Sequence, residues 1–215
     1  MRPKGIIFDF DGTLADTLPI CVLSFKQAFK KTLGVEYSDA EILKHFGKSE
    51  EGIIKNLVAP EDYEECLDAY IKTYEANHYL CPKPFDGITD ILDTIKATGI
   101  GLGLITGKGK HTIKIALDYL DLSKYFEYVE HGDPQKSIKT QCIKKIADNW
   151  NLKSNETAYV GDQVTDIADT NQAGALAIAV SWATTSNYAL LKQHNPDLLF
   201  KTTDEFKNWI LDIGK

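Results

Sequence analysis

The sequence predicts an α/β fold: a doubly wound parallel sheet with an α-helical cap domain inserted after its first strand. Three observations carry this. Five short apolar segments, "KGIIFDF", "IGLGLIT", "YFEYVEH", "ETAYVGD" and "ALAIAV", read as strands buried on both faces. Stretches with helical apolar spacing separate the later ones, which calls for crossover connections and parallel strands. One interval, residues 16–82, breaks the alternation with helical patterns only.

In chain order, "KGIIFDF" supplies the first strand, with Ile6, Ile7 and Phe8 as its apolar run. The inserted interval holds "LSFKQAFKKTL", then "SDAEILKHF" with Ser38 as its cap, then "EDYEECLDAYIKTYEANHYL", the longest of the three. It returns through "CPKPFDG", whose two prolines and glycine suit a hinge. The expected division is a core of residues 1–15 and 83–215 with a helical cap of residues 16–82. Ile88, Ile91, Leu92 and Ile95 form a helical stripe ahead of the second strand. Ile113, Leu117 and Leu120 form another, and Cys142, Ile143 and Ile146 a third. Trp150, Trp182 and Trp209 sit among apolar positions and are expected in the core. No internal repeat or low-complexity segment is present.

Composition narrows the class. At 215 residues, 43% hydrophobic and 26% charged, the chain is an ordinary globular one with room for a sizeable core. A net charge of -7 argues against a nucleic-acid partner, which needs a basic footprint. A phosphorylated ligand stays open, because a metal ion or a few lysines can invert the sign in one cleft. Cys21, Cys66, Cys81 and Cys142 are scattered, with no C-x-x-C pair, as suits free thiols in a reducing compartment. No secretory signal is visible, and the longest weakly polar stretch, "AGALAIAVSWA", is too short to span a bilayer. The expectation is a soluble cytoplasmic protein with no membrane partner. Its oligomeric state is undetermined, a monomer or weak dimer.

Polar residues gather where the predicted strands end, which is where ligands bind in open α/β sheets. The stations are "DFDGT" (9–13), "ITGKG" (105–109), a lysine near 139 and "GDQVTD" (161–166). Asp9 and Asp11 pose the sharpest question, since two carboxylates 4 Å apart repel by about 4 kcal/mol at an effective dielectric near 20. Side chains two apart on an extended segment share a direction, so one strand end presents both. Gly12 and Thr13 would let the backbone turn there and aim N–H groups at an anion. Asp162 and Asp166 would bring the cluster to four carboxylates, which needs a hard cation, and Mg²⁺ suits oxygen ligands best.

"FDFDGTLADT" resembles the first motif of the haloacid dehalogenase-like phosphatases, D-x-D-G-T-[LV]. Thr106 matches that superfamily's second motif and "GDQVTD" its acidic fourth. The likeness spans the chain, since motif order, the inserted helical cap and the "QAGALAIAV" strand all fit. It implies a Rossmann-like core and a Mg²⁺-dependent phosphatase acting on a small phosphorylated metabolite, with a cap like those of phosphoglycolate phosphatases. By the family pattern Asp9 is the nucleophile that becomes an aspartyl-phosphate, and Asp11 is the general acid and base. Thr106 and a lysine are catalytic partners; Asp9, Asp162 and Asp11 through its carbonyl take the metal, and Asp166 is either a further ligand or a partner that holds the ligands in place. "KTQCI" resembles a variant of the lysine motif and favours Lys139, with Lys136 the alternative. Gly12, Thr13 and Gly107 would bind phosphate. Lys48, beside Gly47 in "HFGKSEEG", is either a cap loop facing the site or a solvated lysine.

Blander roles are open to some of the same residues. Asp16 suits a helix N-cap better than a catalyst. Asp162 and Asp166 could cap the following helix while also binding metal. "GLGLITGKGKHT" fits no register of a P-loop, and its glycines fall inside a strand. Two further activities share the scaffold: a phosphomutase of the β-phosphoglucomutase type, and a pyrophosphatase or nucleotidase. A receiver-like phospho-acceptor is disfavoured, because receivers lack the helical insertion and Asp11 would promote loss of the phosphoryl group.

Overall fold

The computed structural model describes residues 2–214. Six strands form one parallel sheet: β1 (Gly5–Phe8), β2 (Gly101–Ile105), β3 (Tyr128–Glu130), β4 (Thr157–Gly161), β5 (Leu176–Val180) and β6 (Leu198–Phe200). Their order is β3-β2-β1-β4-β5-β6. β1 lies at the centre, its Gly5 in register with Gly101 of β2 and Thr157 of β4. The sheet exceeds the five-strand expectation by β6, whose three residues are only half-buried at an edge. So short an apolar run leaves little pattern to read.

Alternation along β1 sorts the two faces. Ile6 and Phe8 join a cluster with Ile91, Leu92 and Ile95 of α5 (Ile88–Ala97), Ile113 and Leu117 of α6 (Lys110–Tyr119), and Phe206 and Ile210 of α10 (Thr203–Ile213). Ile7 points the other way, into a cluster with Cys142, Ile143 and Ile146 of α7 (Lys139–Asn149) and Ala173 of α8 (Val164–Ala173). A short helix, α9 (Tyr188–Gln193), adds Leu191 beside Ile167 of α8. The sheet is thus doubly wound, with helices on both faces.

The three tryptophans are not interior residues; each is half-buried and closes the margin of a cluster. Trp150 shows why: its indole lies across Gly5, Gly101 and Gly103, where a Cβ would meet ring atoms at 2.5, 2.7 and 3.2 Å. Its ring nitrogen meanwhile reaches out to Glu127 at 2.9 Å. The glycines inside β2 therefore serve packing.

Between β1 and β2 stand α1 (Leu18–Leu33), α2 (Asp39–Leu43), α3 (Glu50–Leu57) and α4 (Tyr63–Asn77). They bury their own cluster, with Phe25, Phe29, Ile42, Ile53 and Tyr70, and the rings of Phe25 and Tyr70 sit 4.3 Å apart. Ser38 caps α2 in a reciprocal box with Glu41, as its spacing predicts. Asp16 is not a cap. The cap position of α1 falls to Thr17, whose hydroxyl does not bond the helix but donates to the Asp11 carboxylate. Cys21 and Tyr74 of this insertion belong to the cluster under the sheet, so it packs directly on the core. All four cysteines are buried and free, and no helix among the described residues is long and apolar enough to cross a membrane.

Candidate active site

The sheet order reverses direction between β1 and β4, and in open α/β sheets a crevice forms beyond the strand ends at such a point. Asp9 follows β1 and Asp162 follows β4, so the two carboxylates come from the strands flanking the crevice. Asp166 joins them from the first turn of α8, where its carboxylate accepts the Gln163 N–H at 2.9 Å. One oxygen from each of Asp9, Asp162 and Asp166 lies within 4.8 Å of the others, and all three residues are buried. Lys139, at the start of α7, places its Nζ 3.0 Å from Asp9 Oδ2 and 2.5 Å from Asp166 Oδ1. Lys136 is exposed, with its N–H turned back to Asp133.

The electrostatics of this cluster are unbalanced. Burial pushes the Asp9 carboxyl up to about 8, Lys139 pulls against that, and Asp166 and Asp162 add to it. Burial and Asp166 together push Asp162 up to about 6. Burial works against the Lys139 ammonium, yet Asp166 and Asp9 hold it well above the ordinary lysine range. One lysine faces three carboxylates, and Asp162 Oδ1 is buried with no hydrogen-bond partner. Its other oxygen is engaged, accepting from Gln163 Nε2 at 2.8 Å and Ser186 at 3.0 Å. A crowded all-oxygen donor set with a free buried lone pair fits a hard divalent cation such as Mg²⁺.

Asp11 lines the same cavity, about 610 Å³, with Asp9, Gly12, Gly107, Lys139 and Asp162. Its carboxylate stands outside the trio, held by a different lysine: Lys108 Nζ is 3.1 Å from Asp11 Oδ1. Gly12 takes φ +77°, and a Cβ there would lie 2.4 Å from Asp162 Oδ2. The glycine thus lets the loop after β1 close against the β4 aspartate. The N–H groups of Gly12 and Thr13 do not point outward as expected. They bond Ala15 and Phe10 carbonyls within the turn, which closes on itself before it can form an anion nest. Thr13 Oγ1 is buried without a partner.

Thr106 is buried at the end of β2, its Oγ1 accepting the Lys108 N–H at 3.2 Å. Gly107 is open to the cavity. Lys48 is exposed and lines a smaller chamber of about 80 Å³ with Gly47, Asp11, Glu50 and Lys108. Lys108 and Glu50 escape the sequence analysis. The one signal is a lysine two residues past the strand-end threonine in "ITGKG"; nothing in "HFGKSEEG" marks Glu50.

The family model for haloacid dehalogenase-like hydrolases matches residues 6–180. A pyrophosphatase, PpaX, from Bacillus mycoides (strain KBAB4) is 26% identical over 207 residues, covering 95% of each chain. Its counterpart from Anoxybacillus flavithermus (strain DSM 21510 / WK1) is 27% identical over 207 residues, covering 94% of each. Among solved structures, a predicted phosphoglycolate phosphatase from Haemophilus somnus 129pt superposes with a TM-score of 0.82 at 21% identity. That superposition covers 100% of this chain and 99% of the other.

Proposed function

The chain belongs to the haloacid dehalogenase-like hydrolases and is a phosphatase of that family, and from that premise we propose that it hydrolyses a small phosphorylated substrate through an aspartyl-phosphate on Asp9. The observation that carries this is Lys139 Nζ lodged between Asp9 and Asp166, beside a buried Asp162 oxygen with nothing to bond. In this reading Asp9 attacks phosphorus in line with the leaving oxygen. Asp11 gives its proton to that oxygen as the bond to phosphorus breaks, and then takes a proton from the water that attacks the acyl phosphate. Lys139 neutralises charge on the transferring phosphoryl group, and Thr106 bonds one of its oxygens, while Gly12 and Gly107 leave room for the others at the cavity wall.

Asp9, Asp162 and the carbonyl of Asp11 would hold Mg²⁺. Asp166, both of whose oxygens are engaged by Gln163 and Lys139, would serve the ion mainly by fixing Lys139. When bound, the ion offsets charge on the phosphoryl oxygens. The cap lines one wall of the cavity through Leu43, Phe46 and Gly47; closure of the cap over a bound substrate would exclude bulk water and favour small substrates over phosphoproteins.

Inorganic pyrophosphate is the first substrate to test, because the PpaX relatives at 26 and 27% identity are pyrophosphatases. Phosphoglycolate, sugar phosphates and nucleotides complete the panel, assayed for phosphate release with and without Mg²⁺. Phosphate monoester hydrolysis needs enhancements up to ~10²¹-fold, so loss of the nucleophile should be decisive. Asp9→Asn is expected to reduce turnover to background while its circular dichroism stays that of the wild type. Wild-type turnover in that variant would refute the assignment. Formation of a sugar phosphate isomer in place of phosphate would mark a mutase.

A further inference from the structure

Two lysines divide the pair of aspartates, and only Lys139 has a part in the chemistry above. Lys108 is 3% exposed, while the Asp11 side chain it reaches is 26% exposed at the cavity wall. The ammonium and the Thr17 hydroxyl meet the same oxygen, Asp11 Oδ1. The ammonium's other neighbours are Cys21 Sγ at 2.9 Å and the face of Tyr74, 4.5 Å from the ring centre, both from the insertion. The backbone of Lys108 is pinned as well: its N–H donates to Thr106 Oγ1, and its carbonyl accepts from Gly132 N at 2.6 Å.

The next residues are gripped by the cap. Glu50, at the start of α3 and 6% exposed, accepts hydrogen bonds from Gly109 N and, at 2.7 Å, from the Thr112 hydroxyl. The neighbouring Gly52 sits so close to the core that a Cβ would fall 2.2 Å from the Pro134 carbonyl oxygen. An unbroken line of contacts thus runs from the cap carboxylate through the 107–109 loop and Lys108 to Asp11. A buried lysine is a costly means of packing when an apolar side chain of similar length would fill the space. What distinguishes this one is its contact with the carboxylate at the cavity wall.

We propose that Lys108 is a positioning residue that aims Asp11 for proton transfer, and that Glu50 makes this aim conditional on the cap being seated. The proposal rests on the Asp9 and Asp11 roles given above. Lys108 itself neither gains nor loses a proton. Asp11 passes one proton to the leaving oxygen and recovers one from water, so it ends each cycle as it began.

The test separates the two chemical steps. p-Nitrophenyl phosphate needs little proton donation to its leaving group, so its first step does not depend on Asp11, whereas hydrolysis of the acyl phosphate does. Lys108→Met is expected to release the first equivalent of p-nitrophenol within about threefold of the wild-type rate and then turn over about 100-fold more slowly, within the range of general acid–base catalysis. A burst of one product per enzyme should therefore appear. On an alkyl phosphate both steps slow and no burst is seen. Glu50→Gln should give the same pattern more weakly, and the double variant should be no worse than Lys108→Met alone. Lys108→Arg should recover part of the rate.

A merely structural lysine would leave both steps unchanged or depress them together, and either result overturns the proposal, as does additivity in the double variant. If Lys108→Met fails to fold, Glu50→Gln decides by the same burst. Asp9→Asn run alongside must show no burst at all. Turnover there would overturn the nucleophile assignment instead and leave the Lys108 result to be judged by its own kinetics.

Discussion

Stripping divalent cations from the protein should expose a specific pH dependence of its stability. Asp162 has an ordinary carboxyl value of 3.8 when unfolded and about 6 in the fold, chiefly through burial and then the Asp166 charge. That difference corresponds to about 3 kcal/mol. Because the folded value lies above the unfolded one, the folded form holds its proton more tightly. The stability is whole below about pH 4 and is lost as pH rises through 6. Asp9, pushed up to about 8, extends the loss in the same direction toward pH 8. For a chain of this size 1 kcal/mol moves Tm by about 2–4 °C, so the Asp162 share alone is roughly 6–12 °C.

Melting curves in EDTA from pH 4.5 to 8.5 measure this, with Asp162→Asn as the reference. Glu36, Glu41, Asp118 and Glu156, whose hydrogen bonds and ion pairs hold them below the ordinary range, act oppositely at lower pH, but they are common to both proteins and cancel in the comparison. Wild type should lose Tm relative to Asp162→Asn across the range. Added Mg²⁺ should restore it most at pH 8, since the ligands must be deprotonated to bind. Parallel curves for the two proteins, with a Mg²⁺ effect independent of pH, would sink the idea of a charge-frustrated cluster awaiting a cation.

Three further outcomes follow from the packing. Gly12→Ala forces a side chain into a left-handed conformation, costing about 1–2 kcal/mol, and drives its Cβ onto Asp162. Calorimetry should show weaker Mg²⁺ binding as well as a lower Tm. Gly52→Ala places a Cβ against the Pro134 carbonyl, so α3 must lift from the core. Hydrogen exchange should rise at residues 107–109 and 131–134 while β4 and β5 stay protected. Trp150→Ala uncovers Gly5, Gly101 and Gly103 together and should cost about 3 kcal/mol in urea unfolding with activity retained.

The legible parts of this molecule are those whose physics is local. Ile6, Ile7 and Phe8 announce a buried strand because neither face can be polar, and "DFDGT" stands out because like charges rarely follow such a run. Ser38 and Glu41 form their box within four residues of chain. β6 was illegible for the opposite reason: Leu198, Leu199 and Phe200 are half-buried at an edge, and only their pairing with β5 makes them a strand. Asp16 misleads because an acid before a helical pattern suggests a cap, while Thr17 one residue later takes the position and turns its hydroxyl to Asp11.

The same division explains the candidate site. Asp9, Asp11, Asp162 and Thr106 are found from sequence because each sits at the end of an apolar strand, and a doubly wound sheet must bring such ends to one edge. Lys108 and Glu50 obey no such rule. Their meaning lies in a contact across 59 positions of chain, where Glu50 receives the Gly109 N–H, and in a burial that no spacing encodes. A lysine in "TGKG" and a glutamate in "SEEG" are, taken singly, ordinary surface residues. They become partners only because Gly52 and Gly132 are small enough for the cap to reach the loops beneath it. Strand ends therefore locate the candidate site, while the glycines that let two surfaces meet decide which charged residues lie against it.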